Sequence, residues 1–274
     1  MGPSLMGVAA GLLVLGAAFA FLERRWPAVA QPGWRSGSAT DVAYWFFTPL
    51  VTKTLTRVAI VLALVAVALA LGLPVDQPSL ESLLAPRAAI ARQPLWLQLV
   101  EFLLVADVAA YAMHRLFHRR PLWRFHAVHH SSEQVDWLSA VRLHPVNDLV
   151  MRLAQAAPIL AIGFDPALLA AYVPLLSAYG VFVHANVPWT FGPFRFAVAS
   201  PAFHRWHHAA EEQGLDRNFA GLFPFIDLAF GTYHLPRDRA PTRFGIPGGD
   251  VPAGLWAQLG YPFKRASEAT ARRR

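Results

Sequence analysis

Cysteine is absent from all 274 residues. That absence excludes disulfide scaffolds, thiolate-held zinc, iron–sulfur clusters and thiol nucleophiles, so any bound metal must be held by nitrogen and oxygen. Charge is scarce too. Only 15% of residues are Asp, Glu, Lys or Arg while 55% are hydrophobic, too apolar for an ordinary soluble domain. Acidic residues are the scarcer sign, 17 against 24 basic, for a net charge of +7. This excess does not read as nucleic-acid binding, because the basic residues flank apolar runs, where they mark the cytoplasmic side of a membrane. The sequence also contains no internal repeat, no glycine-rich dinucleotide fingerprint and no H-E-x-x-H motif of zinc hydrolases. One membrane-embedded domain remains.

Long apolar runs are what the chain has instead. Leu5 to Leu22 carries no charge, is followed by Glu23-Arg24-Arg25, and is long enough to span a bilayer. A cleaved signal peptide is the alternative, but positive charge follows the run instead of preceding it, which favours a retained span with the N-terminus outside. Tyr44-Trp45-Phe46-Phe47 suits an interfacial segment, and Val58 to Leu73 a second span. The charge-balanced loop from Pro74 to Pro94 belongs outside. Leu95 to Met113 then returns across the membrane into Arg115, Arg119, Arg120 and Arg124, which makes that end cytoplasmic. Two more apolar runs, Leu153 to Phe164 and Ala167 to Val183, flank the turn signal Gly163-Phe164-Asp165-Pro166. They predict a helical hairpin entering from the cytoplasmic side, its first arm interrupted by Pro158. From about Pro236 onward the chain is rich in Pro, Gly and Arg and reads as a cytoplasmic tail with little core of its own.

Eight of the 11 histidines fall into three clusters: His114 and His118; His126, His129 and His130; His204, His207 and His208. Residues three and four apart share a helix face, so each cluster predicts one face of imidazoles, and all three face the cytoplasm. Single histidines are mostly ordinary hydrogen-bonding residues. A set of eight beside membrane helices is not, since ionisable groups there are retained for function. Imidazole is the commonest ligand for borderline transition metals, and eight exceed what one ion takes. The fold this predicts is all-α: a multi-pass membrane helical bundle with a cytoplasmic, histidine-lined di-metal site.

Other polar residues are placed by spacing. Asp107 precedes Tyr111, His114 and His118 by four, seven and eleven residues, one stripe of a helix. It is expected to accept a hydrogen bond from the outer N–H of a ligand, with a helix–helix contact as the alternative. Glu101 lies about 120° from that stripe and reads as interfacial. His184 at the membrane border is a candidate ligand, with a capping role as the alternative. His144 and His234 have no histidine at helical spacing and read as structural. Glu211 and Glu212, four residues after His207 and His208, are either carboxylate ligands or a solvated face.

His114 and His118 have the spacing of a zinc hydrolase, but Arg115 stands where the glutamate base would be. Two nitrogen-ligated iron ions could activate dioxygen against an unactivated C–H bond, which redox-inert zinc cannot do. At a membrane surface that implies a lipid substrate. A metal transporter is a rival reading, but it would put ligands near the bilayer midplane and not past the ends of spans. A haem electron carrier would use an axial pair and leave most of the eight histidines unexplained.

The ordered series His114-Arg-Leu-Phe-His118, Trp123-Arg-Phe-His126-Ala-Val-His129-His130-Ser131-Ser132, Trp137-Leu-Ser-Ala-Val-Arg-Leu-His144-Pro145 and His204-Arg-Trp-His207-His208, continuing to Asn218-Phe-Ala-Gly221 and Phe230-Gly-Thr-Tyr233, resembles the fatty acid hydroxylase/sterol desaturase superfamily. The resemblance implies a multi-pass membrane di-iron oxygenase that hydroxylates or desaturates lipids with dioxygen and externally supplied electrons. It implies His114, His118, His126, His129, His130, His204, His207 and His208 as iron ligands, and His184 as a further one. Some members carry another histidine four residues beyond that last position, where this chain has Pro188. Some are fused to a cytochrome b5 module, whose His-Pro-Gly-Gly motif does not occur here, so electrons are expected from a separate donor protein. The organisation that follows is residues 1–40 as an N-terminal span and connector, 41–235 as the hydroxylase/desaturase-like domain and 236–274 as a cytoplasmic basic tail.

Overall fold

The computed structural model describes residues 4–249 and 251–264. Helix α1 (Leu5–Arg25) starts where Ser4 Oγ accepts the Gly7 N–H, the side-chain cap that a helix start calls for. Its 21 residues rise about 31 Å at 1.5 Å each, matching a hydrocarbon core of about 30 Å. The next apolar block was expected as an interfacial piece followed by a span. It forms instead one 33-residue helical run, α2 (Ser38–Phe47) passing through a π-turn (Thr48–Thr52) into α3 (Lys53–Ala70). Pro49 is the local reason: without an N–H it cannot close the ordinary ladder, and the helix widens by one residue without ending.

Two short helices, α4 (Gln77–Leu83) and α5 (Ala88–Ala91), fill the loop before α6 (Leu95–Phe117), the third helix long and apolar enough to cross a membrane. Only 11%, 11% and 28% of the most apolar windows of these three helices are buried within the protein. Exposed Leu13, Val61, Leu62, Leu69 and Val100 would be unfavourable in water, whereas in lipid they match the solvent, as befits an integral membrane protein.

The expected hairpin is present as α8 (Pro145–Ile162) and α9 (Pro166–Val183), joined at Gly163, whose φ of 93° is the left-handed cap, but its first arm runs through Pro158 without the expected interruption. A side chain at Gly163 would strike Arg87, and the Arg87 N–H donates to the Gly163 carbonyl at 2.9 Å. The hairpin tip is thereby tied to the loop that precedes α6. Helix α8 packs along α6, and Phe102 meets Phe164 and Tyr172 edge-on at 5.9 and 5.2 Å.

At the opposite end of α6 gather α7 (Trp123–His130), a 3-10 turn (Trp137–Val141), α10 (Pro201–His207) and α11 (Pro224–Ala229). Trp137 anchors this layer to the membrane helices, stacked on Phe19 at 5.5 Å and edge-on to Trp45 at 5.7 Å. Apart from one bridge between Ala209 and Phe244, the described residues contain no β-structure.

The region after 236 has more core than composition suggested. Helix α12 (Leu255–Gly260) and Tyr261 pack on Tyr44, Ala127 and Val128, and the Gly254 N–H reaches Thr40 Oγ1 at 3.2 Å. Hydrophobic residues spaced along a Pro/Gly-rich stretch found a partner surface that no local pattern announces. Asp250 and residues 265–274 of the expected tail, and residues 1–3 of the N-terminal segment, lie outside the described residues.

Candidate metal centre

The centre is assembled from the ends of four helices. Helix α6 ends with His114 and its cap His118, α7 carries His126, His129 and His130, α9 ends on His184, and α10 carries His204 and His207 with His208 as cap. These nine rings form two groups. His114, His118, His126, His130 and His207 bring their ring nitrogens within 4.8 Å of one another, and so do His129, His184, His204 and His208.

The sequence clusters are not the spatial groups. In each H-x2-HH pattern the residues i and i+4 are about 40° apart around the helix, while i+3 lies about 60° to the other side. His126 and His130 therefore enter the first group and His129 the second, whereas His204 and His208 enter the second and His207 the first. Each short helix feeds both groups.

Carbonyl groups decide which ring nitrogen faces inward. Nδ1 of His114, His207, His129 and His184 donates to the carbonyls of Phe219 (2.8 Å), Arg217 (2.8 Å), Arg142 (3.2 Å) and Gly180 (2.6 Å). His126 Nδ1 faces Asn147 Oδ1 at 2.9 Å and His118 Nδ1 faces Asp216 Oδ1 at 3.0 Å. A carbonyl oxygen only accepts, so Nδ1 holds the proton and Nε2 presents a bare lone pair. Yet His114 Nε2 and His126 Nε2 stand 3.0 Å apart, and those of His129 and His184 3.2 Å. Lone pairs facing at that distance repel, and a cation between them converts repulsion into binding. The donor set fits a transition metal in both groups.

Burial keeps the rings in the form a metal needs. Desolvation, followed by repulsion from neighbouring rings, holds His126, His129, His130, His204, His207 and His208 well below the ordinary imidazole value of 6.5, so they are neutral at neutral pH, the form in which imidazole can bind a metal.

The loop that offers the Phe219 carbonyl is in turn held by carboxylates. Asp227 accepts the N–H groups of Phe219 and Ala220, both at 2.8 Å. Asp107 accepts those of Gly221, Leu222 and Phe223 at 3.0, 3.1 and 2.7 Å. Five consecutive backbone N–H groups thus end on two buried acids. Asp107 was expected to take a histidine N–H; the chain brings the 219–223 loop between them, and Asp107 reaches His114 only through the Phe219 carbonyl. Neighbouring Asn218, at a φ of 58°, is fixed by bonds to the carbonyls of Phe203 and His234 and from the His234 N–H.

On the other side Arg142 offers its carbonyl to His129 while its guanidinium bonds Asp41 at 2.6 Å; Asp41 also binds Arg35, which pairs with Asp136. Glu23 of α1 accepts the N–H groups of Trp137 (3.0 Å) and Asn186 (2.9 Å), the latter two residues after His184.

Sequence reasoning did not find Asp227, Asn147, Asp216, Asp41 or Arg142. Asn147 lies in the first turn of α8 and bonds His126 of α7. Glu211 joins neither group, because its carboxylate caps the N–H groups of Thr242 and Arg243, and Glu212 is exposed. His144 caps α8 through the Val146 N–H and His234 rests edge-on against Trp206 at 4.6 Å, and neither belongs to the two groups. Glu101 bonds Gln93 at 3.3 Å, away from the centre.

Residues 99–232 match the fatty acid hydroxylase family model. The chain is 32% identical over 174 residues to the ornithine lipid hydroxylase OlsE of Rhizobium tropici, covering 63% of this chain and 52% of that protein. It is 29% identical over 158 residues to the alkylglycerol monooxygenase of Danio rerio, 57% of this chain and 35% of that protein, and 29% over 134 residues to the human one, 48% and 30%. The chain thus spans about half or less of the length of these curated relatives. No solved structure matches it.

Proposed function

We propose that this chain, whose residues 99–232 match the fatty acid hydroxylase family model, is a membrane oxidoreductase that uses dioxygen to hydroxylate or desaturate a lipid. The observation that carries the reading is the pair of buried all-imidazole groups, each with bare Nε2 atoms turned toward a common centre. Two iron ions would be held there, one by His114, His118, His126, His130 and His207, the other by His129, His184, His204 and His208. Bound iron would supply the activation of dioxygen that attack on an unactivated C–H bond requires. The chain's own work is orientation and exclusion of water: backbone carbonyls fix the ring tautomers, Asp107 and Asp227 hold the loop that offers one of them, that of Phe219, and burial keeps the rings neutral.

The lipids named for the relatives support a membrane lipid substrate. With no dinucleotide fingerprint in the sequence, reducing equivalents come from a separate donor protein. We place the catalytic domain at 41–235, with 1–40 as a membrane span and connector that reaches toward the site through Glu23, and 236–274 as a cytoplasmic basic tail whose Leu255, Leu259 and Tyr261 pack on Tyr44, Ala127 and Val128. A midplane transport pathway gains no support, because both groups sit at the C-terminal end of α6.

The test is the lipid extract of cells with and without the protein. A gain of one oxygen or a loss of two hydrogens, dependent on oxygen and abolished with the metal groups, is expected. Unchanged lipids under a competent donor would overturn the reading.

Topology follows from the same placement. We propose four to five membrane segments, the N-terminus outside, and the centre and C-terminus in the cytoplasm. Support comes from Arg115, Arg119, Arg120 and Arg124 beside the centre, and from the bond between Arg87 and the hairpin tip, which joins α8 and α9 to the outer loop. Reporter fusions after Leu84 and after Arg120 should report opposite sides. The same side for both refutes the map.

A further inference from the structure

A cavity of about 230 Å³ opens beside the first histidine group, lined among others by Arg115, Arg119, Arg217, Asp216, His118 and Phe230. It is small beside whole-ligand pockets of roughly 300–1,000 Å³, so it is a place for part of a lipid and not for its tail. Three arginines face one aspartate there. Arg217 donates to the Gly231 carbonyl at 2.9 Å and Arg115 to the Tyr111 hydroxyl at 3.2 Å, bonds to neutral partners that hold the guanidinium groups in place without cancelling their charge. Arg115 also acts on the buried Asp227, whereas Arg119 is exposed at the mouth. Planar guanidinium forks suit the paired oxygens of a phosphate or carboxylate.

The rim of this cavity is apolar. Phe230 is 57% exposed and lies stacked on Tyr111 at 5.1 Å, and α11 turns Phe225 and Leu228 outward, 44% and 46% exposed. On α6, Leu116, between Arg115 and Arg119 in the sequence, is 48% exposed. Exposed Phe and Leu next to arginines at the end of a membrane helix is the arrangement that meets the boundary between acyl chains and headgroups.

We propose that this cavity binds the anionic group, phosphate or carboxylate, of a membrane lipid's headgroup and so delivers lipids with an intact anionic headgroup to the metal centre. The proposal rests on the lipid-oxygenase reading above. Arg119 and Arg217 hold the anion, Phe230 and the outer face of α11 hold the adjoining backbone of the lipid, and the acyl or alkyl portion runs past the histidine groups.

The test is calorimetric titration of the full-length, iron-loaded protein in neutral detergent with three probes: dihexanoyl phosphatidylglycerol, uncharged dihexanoylglycerol and inorganic phosphate. Charge-assisted bonds of this kind predict that the anionic lipid binds about tenfold or more tightly than the uncharged one. Replacing Arg119→Gln together with Arg217→Gln should erase that preference, while Arg92→Gln, on the opposite loop, should leave it. Equal binding of both lipids, or a preference that survives the double replacement, overturns the proposal. Inorganic phosphate binding as tightly as the lipid would make this a free-anion site and overturn it as well. So would a double variant with unchanged lipid binding but slowed reduction by the donor protein, which would mark the arginines as a docking patch for an acidic partner. The two readings fail separately: lipid preference without any oxygen-dependent product sinks the oxygenase, and product formation without lipid preference sinks the headgroup cavity.

Discussion

Replacing His130 with alanine should abolish turnover and lower bound iron in the folded, membrane-inserted protein. Its Nε2 stands 3.1 Å from that of His126 and 3.0 Å from that of His207, and its ring stacks on His208 at 4.5 Å, so it belongs to one group and buttresses the other. Loss of a residue behind a ligand typically costs about 10–100-fold in metal affinity or activity, and loss of a ligand from this position should exceed that range. His234→Ala is the matched control, since that ring lies in neither group. Metal analysis after anaerobic iron loading, with turnover measured in the same preparation, decides the matter. Full activity in His130→Ala would remove the basis of the site assignment.

Asp227→Asn is expected to give the second largest effect, a loss of about 10–100-fold in iron affinity or rate. One Asp227 oxygen takes both the Phe219 N–H and the Thr232 hydroxyl, and the other takes the Ala220 N–H. An amide cannot accept on both sides, so one buried donor is left facing an N–H, at a cost of about 1–3 kcal/mol that the loop relieves by moving. Movement of Phe219 withdraws its carbonyl from His114 and frees the tautomer. The visible spectrum of the cobalt-substituted protein separates this from a packing defect, since only a shifted histidine alters the metal's ligand field. Asp107→Asn should act on the same loop, and the double variant should fall short of the product of the two single losses, because groups within one network are not additive. Wild-type spectrum and rate in Asp227→Asn would leave both acids with a purely structural role.

These two experiments divide along what could be read at each level. Helices, caps and the candidate ligands are local: Leu5 to Leu22 is apolar at membrane length, Gly163 marks the hairpin turn, and histidines at spacings of three and four announce a face whatever lies opposite. The continuous helix Ser38–Ala70 was divided into an interfacial piece and a span because aromatic composition and strict apolarity change along it, whereas the backbone continues through both. Asp107 was visible as a carboxylate on the histidine stripe. Its partners were not, because they come from a loop 114 to 116 residues away.

The amino-acid sequence alone determined the all-helical membrane architecture, the absence of any thiolate chemistry and the set of imidazoles available to a metal, since these follow from composition and from periodicities of a few residues. Only the tertiary structure decided how those imidazoles divide into two groups, which nitrogen of each ring faces inward, and that Asp227, Asn147, Asp216 and Arg142 stand behind them. The physical reason is that a ring's tautomer is set by the hydrogen bond at its other nitrogen. The partners of His114, His129 and His207 are backbone carbonyls, a group every residue carries and no sequence pattern distinguishes, brought into place by long-range packing.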